Sequence, residues 1–462
     1  MIKLLNQYFS GRLFVLLATE NLLILLGIWT ALCMHNGTVH VASIWQELFG
    51  RALLVTVLCQ ISLYYNDLYD LKTIGSRLEI FIRLLQALGV ACMLLALIYL
   101  VLPQLRLRSG LAETAVITMI VLILVWRVVV DWANRVYVAN ERILLIGAGE
   151  ASQILIREIQ DRNDLPIKVV GVLGETEAQT GTHTLGVPIL GSLLNLAAVV
   201  DEIKPDRVVV ALQERRRNLP VQELVSLRMR GMVIEDANTL FEKVTGKLPV
   251  ESIHPSWLIF SDGFRKSWFL RAYKRAVALI GAVIGLTVFA PIMVLVAIAI
   301  RLDSAGPVLY SQERVGINGK RFHILKFRSM RIDAETSVPT WATENDPRVT
   351  RVGRIIRNLR LDEVPQFVNV LRGDMAFVGP RPERPYFVEQ LGSQIPFYDQ
   401  RHIVRPGITG WAQVCCSYGS TVEESKEKLE YDLFYLKNMS ISLDLLVIFR
   451  TIKIMIFGRG AR

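Results

Sequence analysis

Four apolar runs open the chain, at roughly 13–33, 47–65, 84–102 and 112–130, with short polar loops between them. Each has about the 20 residues a helix needs to cross a hydrocarbon core, so the pattern predicts a four-helix transmembrane domain over 1–135. The loop after the first run, "MHNGTVHVASIWQ", holds no Lys or Arg, whereas the next carries Lys72, Arg77 and Arg83. Arg106 and Arg108 run against a simple alternation. Arg135, Arg142 and a basic remainder still draw the fourth helix's end inward, so both ends are expected on the cytoplasmic side. Glu20, Asn21 and Arg127 fall within or at the edges of these runs, as packing or snorkelling groups or as markers of a pathway.

From about 141 the pattern changes to alternating strand and helix. "RILLIGAGEAS" reads as a buried strand entering a Gly-rich turn, "ASQILIREIQDR" as a helix, and "IKVVGVLG" and "DRVVVAL" as further strands. This predicts a small Rossmann-like, doubly wound domain over 141–250. Gly147 and Gly149 would let backbone N–H groups approach a phosphate at a helix N-terminus. Ser152 replaces the third glycine, and Glu175 is the nearby acid placed for a ribose. The domain therefore reads either as nucleotide-binding or as a structural or regulatory module.

Residues 251–273 mix Trp257, Phe260, Phe264, Trp268 and Phe269 with Arg265, Lys266 and Arg271. That blend suits a bilayer interface, with a linker packed on a domain as the alternative. The run 276–300 is again of spanning length, yet Lys274 and Arg275 precede it, and Arg301, Arg314, Lys320, Arg321, Lys326 and Arg328 follow. Basic flanks on both sides favour both ends in the cytoplasm. Pro291 removes a backbone hydrogen bond and bends the helix. A re-entrant helix satisfies both facts, and a kinked spanning helix is the alternative.

Composition supports a membrane protein. Hydrophobic residues make up 52% of the 462 positions, with a formal net charge of +10 and a mean hydropathy of +0.38. Such charge sets topology and holds anionic headgroups or phosphates. The basic residues are spread out with no nucleic-acid-binding motif, so no nucleic acid is expected as a partner. Cys33, Cys59, Cys92, Cys415 and Cys416 form no CxxC pair, which argues against a zinc site or a disulfide framework.

The segment "RNLRLDEVPQF" places Asp362 and Glu363 side by side among arginines. Adjacent carboxylates can divide labour, one as nucleophile or metal ligand and the other as acid, base or orienting partner. Guanidinium forks nearby suit a diphosphate and hold a carboxylate ionised. The plain alternative is two solvated acids at a helix start.

Around this segment the chain resembles the monotopic phosphoglycosyl transferases, specifically the bacterial polyprenyl-phosphate hexose-1-phosphate transferases of exopolysaccharide synthesis. The stretches that carry the resemblance span 271–462: "KRAVALIGAVIGLTVFAPI", "GPVLYSQERVGINGKRFHILKFRSM", "LDEVPQFVNVLRGDMAFVGPRPE", "RPGITGWAQV" and "YDLFYLKNMSISLDL". The front end, four helices plus a Rossmann-like domain, is similar to the large form of this family.

The resemblance implies a C-terminal α/β catalytic domain over 274–462 with a re-entrant membrane helix broken at Pro291. It implies Asp362 as the nucleophile on the β-phosphorus of a UDP-sugar, Glu363 as its partner, and Mg2+ held at the two. UMP would leave, and polyprenyl phosphate would then take the sugar phosphate. Arg357 matches an arginine paired with the nucleophile, and Arg381 a phosphate-binding one, with Lys326, Arg328 and Asp432 as site or support residues. Lys326 and Arg328 also read as simple interface anchors. A homodimer in the bacterial inner membrane, with its catalytic domain cytoplasmic, completes the expectation.

Two departures stand out. Arg360 occupies a position where many relatives have a small residue, and Cys415, Cys416, Ser417 and Tyr418 replace a Gly-Arg element after "GWAQV". The competing function is a membrane-bound, NAD-dependent sugar-nucleotide dehydratase or epimerase. It would need a complete nicotinamide fingerprint and a YxxxK pair, and the sequence holds no YxxxK.

Overall fold

A computed structural model describes residues 2–4, 7–9, 11–36, 41–69, 77–106, 110–137, 141–162, 165, 167–212, 219–251, 261, 263–332, 346–416 and 421–457. Lys72, Arg108, Trp257, Phe260, Ser417 and Tyr418, which the sequence reading used, lie outside the described residues. The chain divides into two compact units with the main break between Glu235 and Asp236.

The first unit begins with four long apolar helices, α1 (Gly11–Asn36), α2 (Val41–Tyr65), α3 (Arg77–Val101) and α4 (Leu111–Tyr137). Helical spacing selects their shared core: Ile24, Ile28 and Leu32 on α1, Val55 and Cys59 on α2, Leu84 and Leu88 on α3, Ala115, Met119 and Ile123 on α4. The opposite faces are apolar too, with Leu22, Met93, Leu97 and Ile117 exposed. A helix apolar all round needs an apolar solvent, and each of the four has a window of membrane-crossing length and hydropathy. Glu20 is fully buried and pairs with Arg127 Nη2 at 2.8 Å, while Arg127 Nη1 donates to the Leu68 carbonyl. Tyr69 donates to the same carboxylate. The polar groups inside the helices thus form a staple between α1, α4 and the end of α2.

Strands β1 (Glu141–Ile146), β2 (Ile167–Gly174), β3 (His183–Thr184), β4 (Val187–Ser192), β5 (Arg207–Val210) and β6 (Val233–Asp236) form one sheet, ordered β3-β4-β2-β1-β5-β6. The pairs β1/β2, β1/β5 and β2/β4 are parallel and β3/β4 is antiparallel. Helices α5 (Glu150–Gln160), α6 (Leu196–Ile203) and α7 (Val221–Met229) connect the strands. Gly147 turns the chain off β1 at φ +101°, where an added Cβ would lie 2.9 Å from Leu212. Ser152, in place of the third glycine, is buried and donates its hydroxyl to the Gly147 carbonyl, so it braces the turn from below.

The second unit starts earlier than the sequence pattern indicated. Helix α8 (Ala237–Thr245) offers Glu242 to Lys437 and Asn438 at 2.7 Å each. Leu248 and Val250 enter the core formed by Val378, Leu429 and Leu433. Residues 237–250, expected to end the α/β domain, therefore pack within the C-terminal unit.

Helix α9 (Trp268–Asp303) has 36 residues, begins at a Ser267 cap and stays helical through Pro291. Near its start, buried Ala278 and Ala282 and the bare faces of Gly281 and Gly285 admit Phe377 and Phe367. Near its end, Val296 and Ile300 pack on Phe327 and Ile356. Between these contacts Ile284, Val288 and Leu295 are exposed. Both ends of α9 thus rest on the same folded unit. Past it come the antiparallel hairpin β7 (Leu309–Val315) and β8 (Arg321–Phe327), then α10 (Arg351–Asn358), α11 (Gln366–Arg372), β9 (Ala376–Val378) and α12 (Pro385–Gln394). β10 (Gly407–Thr409) pairs with β9 in parallel, and α13 (Trp411–Cys415), α14 (Val422–Asn438) and α15 (Ile441–Phe457) complete the unit.

Candidate functional site

α10 is amphipathic and ends at Leu359, after which Arg360 reverses the chain in the left-handed conformation, φ +57°. This position favours a residue without a Cβ, which accounts for the small residue expected in relatives. The reversal feeds a short 3-10 turn, Leu361–Glu363, and so presents the two carboxylates. Pro365 then caps α11.

Lys326 extends from β8 to Glu363 Oε1 at 3.0 Å, and Arg381 Nη2 lies 3.6 Å from the same oxygen. Asp362 is buried, yet its carboxylate makes no hydrogen bond or ion pair within 4 Å among the described residues. Burial, and then the Glu363 charge, push the Asp362 carboxyl up to about 6 against the pull of Lys326, Arg360 and Arg357. Burial acts on Glu363 as well, but Lys326, Arg381 and Arg360 outweigh it and hold that carboxyl down at about 2. Glu363 keeps its charge and Asp362 takes the first proton. Arg357, in the last turn of α10, acts on Asp362 through its charge.

A buried network holds this arrangement. Arg401 pairs with fully buried Asp432 at 2.8 Å, donates to Tyr398 at 2.6 Å, and reaches the Arg381 carbonyl at 3.2 Å. Asp432 therefore stands behind Arg381 rather than at the pair. The chain on either side of Arg381 is seated by close backbone crossings. An added Cβ on Gly407 would lie 2.2 Å from Gly379 N, so "VGPRP" and "RPGITG" need glycine where they cross. Arg328 is placed elsewhere. Its guanidinium is buried and forks onto the Ala305 and Ser304 carbonyls at 2.6 and 2.7 Å, closing the end of α9.

Sequence reasoning thus named Lys326, Glu363, Arg381 and Asp362, which the structure brings together. It missed Arg401, Tyr398 and Asn369, whose only signal was position beside or within the motif stretches. No group of three or more His, Cys, Asp or Glu side chains gathers among the described residues. The pair instead offers two carboxylates, with the Asp362 oxygens unbonded. That fits a hard cation that completes its shell with substrate phosphate and water. Gly149 has open space above it at the start of α5, and the turn it shares with Gly147 belongs to the first unit.

Fold and site define a membrane-associated protein whose carboxylate pair is held among basic side chains. Residues 269–458 match the bacterial sugar transferase family model, and residues 65–225 match a CoA-binding domain. Over 221 residues, covering 48% of this chain and 52% of the relative, the chain is 45% identical to a UDP-N-acetylgalactosamine-undecaprenyl-phosphate N-acetylgalactosaminephosphotransferase of Aeromonas hydrophila. It is 34% identical over 327 residues, 68% of this chain and 67% of the relative, to the UDP-glucose:undecaprenyl-phosphate glucose-1-phosphate transferase of Escherichia coli (strain K12). An undecaprenyl-phosphate glucose phosphotransferase of Komagataeibacter xylinus is 35% identical, matched over 60% of its length. The matches thus span half to two thirds of these relatives. The chain belongs to the bacterial sugar transferase family. These relatives do not favour the dehydratase or epimerase alternative.

Proposed function

We propose that the chain transfers a sugar 1-phosphate from a UDP-sugar to polyprenyl phosphate at the cytoplasmic face of the bacterial inner membrane, the initiating step of a surface glycan. The observation that carries this reading is a buried, unbonded Asp362 beside a Glu363 already gripped by Lys326 and Arg381. A carboxylate without hydrogen bonds keeps its lone pairs for attack. Asp362 attacks the β-phosphorus of the UDP-sugar, the bond from that phosphorus to the UMP oxygen breaks, and UMP leaves. A phosphate oxygen of polyprenyl phosphate then attacks the phosphosugar on Asp362, giving the polyprenyl diphosphate sugar and freeing the carboxylate. Arg381 and Lys326 bind phosphate oxygens, and Glu363 orients them. Asp362 and Glu363 would hold Mg2+, which supplies charge neutralisation on the diphosphate when bound.

Because both ends of α9 pack on the C-terminal unit, the reading includes a re-entrant helix that dips into one leaflet and carries the site to a lipid acceptor. The Rossmann-like arrangement of the first unit, with Gly147 and Gly149 at its turn, is assigned a nucleotide-binding or regulatory role. A homodimer belongs to the same reading, and light scattering in detergent tests it, with twice the protomer mass as the expected result.

The test is transfer of label from UDP-sugars to the organic phase by membranes supplied with Mg2+ and undecaprenyl phosphate. Wild-type chain labels the lipid and Asp362→Asn does not; retained transfer by Asp362→Asn overturns the assignment. A panel of UDP-glucose, UDP-galactose and N-acetylated UDP-hexoses identifies the donor, since the relatives act on glucose and N-acetylgalactosamine.

A further inference from the structure

Lys274 and Arg275 are neighbours near the start of α9, and as sequence they read only as cytoplasmic flank charges. In the structure both turn into the protein. Arg275 forks onto the end of α11, with Nη1 2.6 Å from the Val370 carbonyl and Nη2 2.9 Å from the Leu371 carbonyl. Helix ends leave such carbonyls without intrahelical partners, so the guanidinium both completes α11 and ties it to α9. α11 follows directly on the carboxylate pair. Within it fully buried Asn369 accepts from Leu325 N–H at 3.0 Å and donates to the His323 carbonyl at 2.7 Å. That fixes α11 to β8, the strand of Lys326.

Lys274 reaches the other half of the site. Its ammonium lies 2.7 Å from Asp444 Oδ2 and donates to the Tyr435 hydroxyl. That hydroxyl is 3.0 Å from the Val378 carbonyl and 2.7 Å from Asp444 Oδ1, with one proton for the two. Val378 closes β9, from which the chain runs through Gly379 and Pro380 to Arg381.

We infer that Lys274 and Arg275 are positioning residues that hold the two halves of the site in register with the membrane helix: Lys274 sets Arg381, and Arg275 sets the carboxylate pair and Lys326. The inference rests on the reading of this site as a sugar-phosphate transfer centre. Neither side chain touches the reacting groups. Both act by placing groups that do, where an error of about 1 Å costs about 100-fold in rate.

A double-mutant cycle on kcat tests it, using the full chain in membranes. Lys274→Met and Arg275→Leu are each combined with Arg381→Lys and with Lys326→Arg. Each single change is expected to lower kcat about 10- to 100-fold while KM for the UDP-sugar moves less than about threefold. The Lys274→Met factor shrinks at least about threefold on the Arg381→Lys background and not on Lys326→Arg, and Arg275→Leu shows the reverse. A general loss of stability gives the same factor on both backgrounds, and that result overturns the inference. Should Lys274→Met fail to accumulate, Tyr435→Phe takes its place, since it removes only the hydroxyl between Lys274 and Val378. Transfer retained by Asp362→Asn would strike the reading of the site instead, leaving the coupling to be decided by the same cycle.

Discussion

Lys326 Nζ lies 3.0 Å from Glu363 Oε1, and its neighbour Asp362 has no bonded partner among the described residues. The cations around the pair therefore act unequally. They neutralise Glu363 by contact and reach Asp362 only through space, so one carboxylate is spent on binding and the other stays available.

The first consequence is a pH limb. Asp362 sits near 6, raised by burial, and in the proposed reaction it attacks only when ionised. Transfer is expected to fall as pH drops through about 6, by about tenfold for each further unit. kcat/KM for the UDP-sugar between pH 5 and pH 8 checks this. Lys326→Met removes the contact that holds Glu363 low, and its limb is expected to move to higher pH.

Stability gives the second. A carboxyl whose folded pKa is raised binds its proton more tightly in the folded state, so its ionised form opposes folding at neutral pH. From about 4 unfolded to about 6 folded, the penalty is on the order of 3 kcal/mol above pH 6, and it vanishes below pH 4. Asp362→Asn is expected to be inactive yet more heat-resistant at pH 8, with the gain lost at pH 4. Thermal melts at the two pH values read it.

Arg360 gives the third. Arg360→Gly relieves a left-handed non-glycine residue worth about 1 kcal/mol, and it removes one of the cations that hold Glu363 down. The expected outcome is an unchanged or slightly higher Tm with a weaker grip on the diphosphate, seen as KM raised severalfold. A raised kcat/KM would contradict it.

Asp432 gives the fourth. Asp432→Ala strands the buried Arg401 guanidinium, at a cost of about 3 to 5 kcal/mol, and loosens the Arg381 carbonyl that Arg401 holds. Urea melts should show the loss. Arg401→Met with Asp432→Leu, which removes both charges, is expected to recover most of the stability and little of the activity.

Much of this was legible in the chain because it rests on local pattern. The apolar runs fixed four long helices, and the βα alternation fixed the parallel strands. The density of Arg and Lys around Asp362 and Glu363 marked the candidate site. Contacts between distant residues left little trace. Nothing in "YDQRHI" says that Arg401 turns inward to Asp432. The length of the apolar run at 276–300 does not reveal that both its ends pack on one unit. Arg328 read as a phosphate ligand or an anchor, because a basic residue on a strand looks the same whether it meets substrate or the carbonyls at a helix end. The position of Arg360 became intelligible only from its backbone dihedral.

The most direct test of the central claim is a half-reaction. The full chain is incubated with labelled UDP-sugar and Mg2+ in membranes depleted of polyprenyl phosphate, then quenched and digested. The account predicts UMP release of about one per site and a hexose-phosphate mass on the peptide that carries Asp362, both lost in Asp362→Asn. No UMP release without the lipid acceptor, or the added mass on another residue, would contradict it.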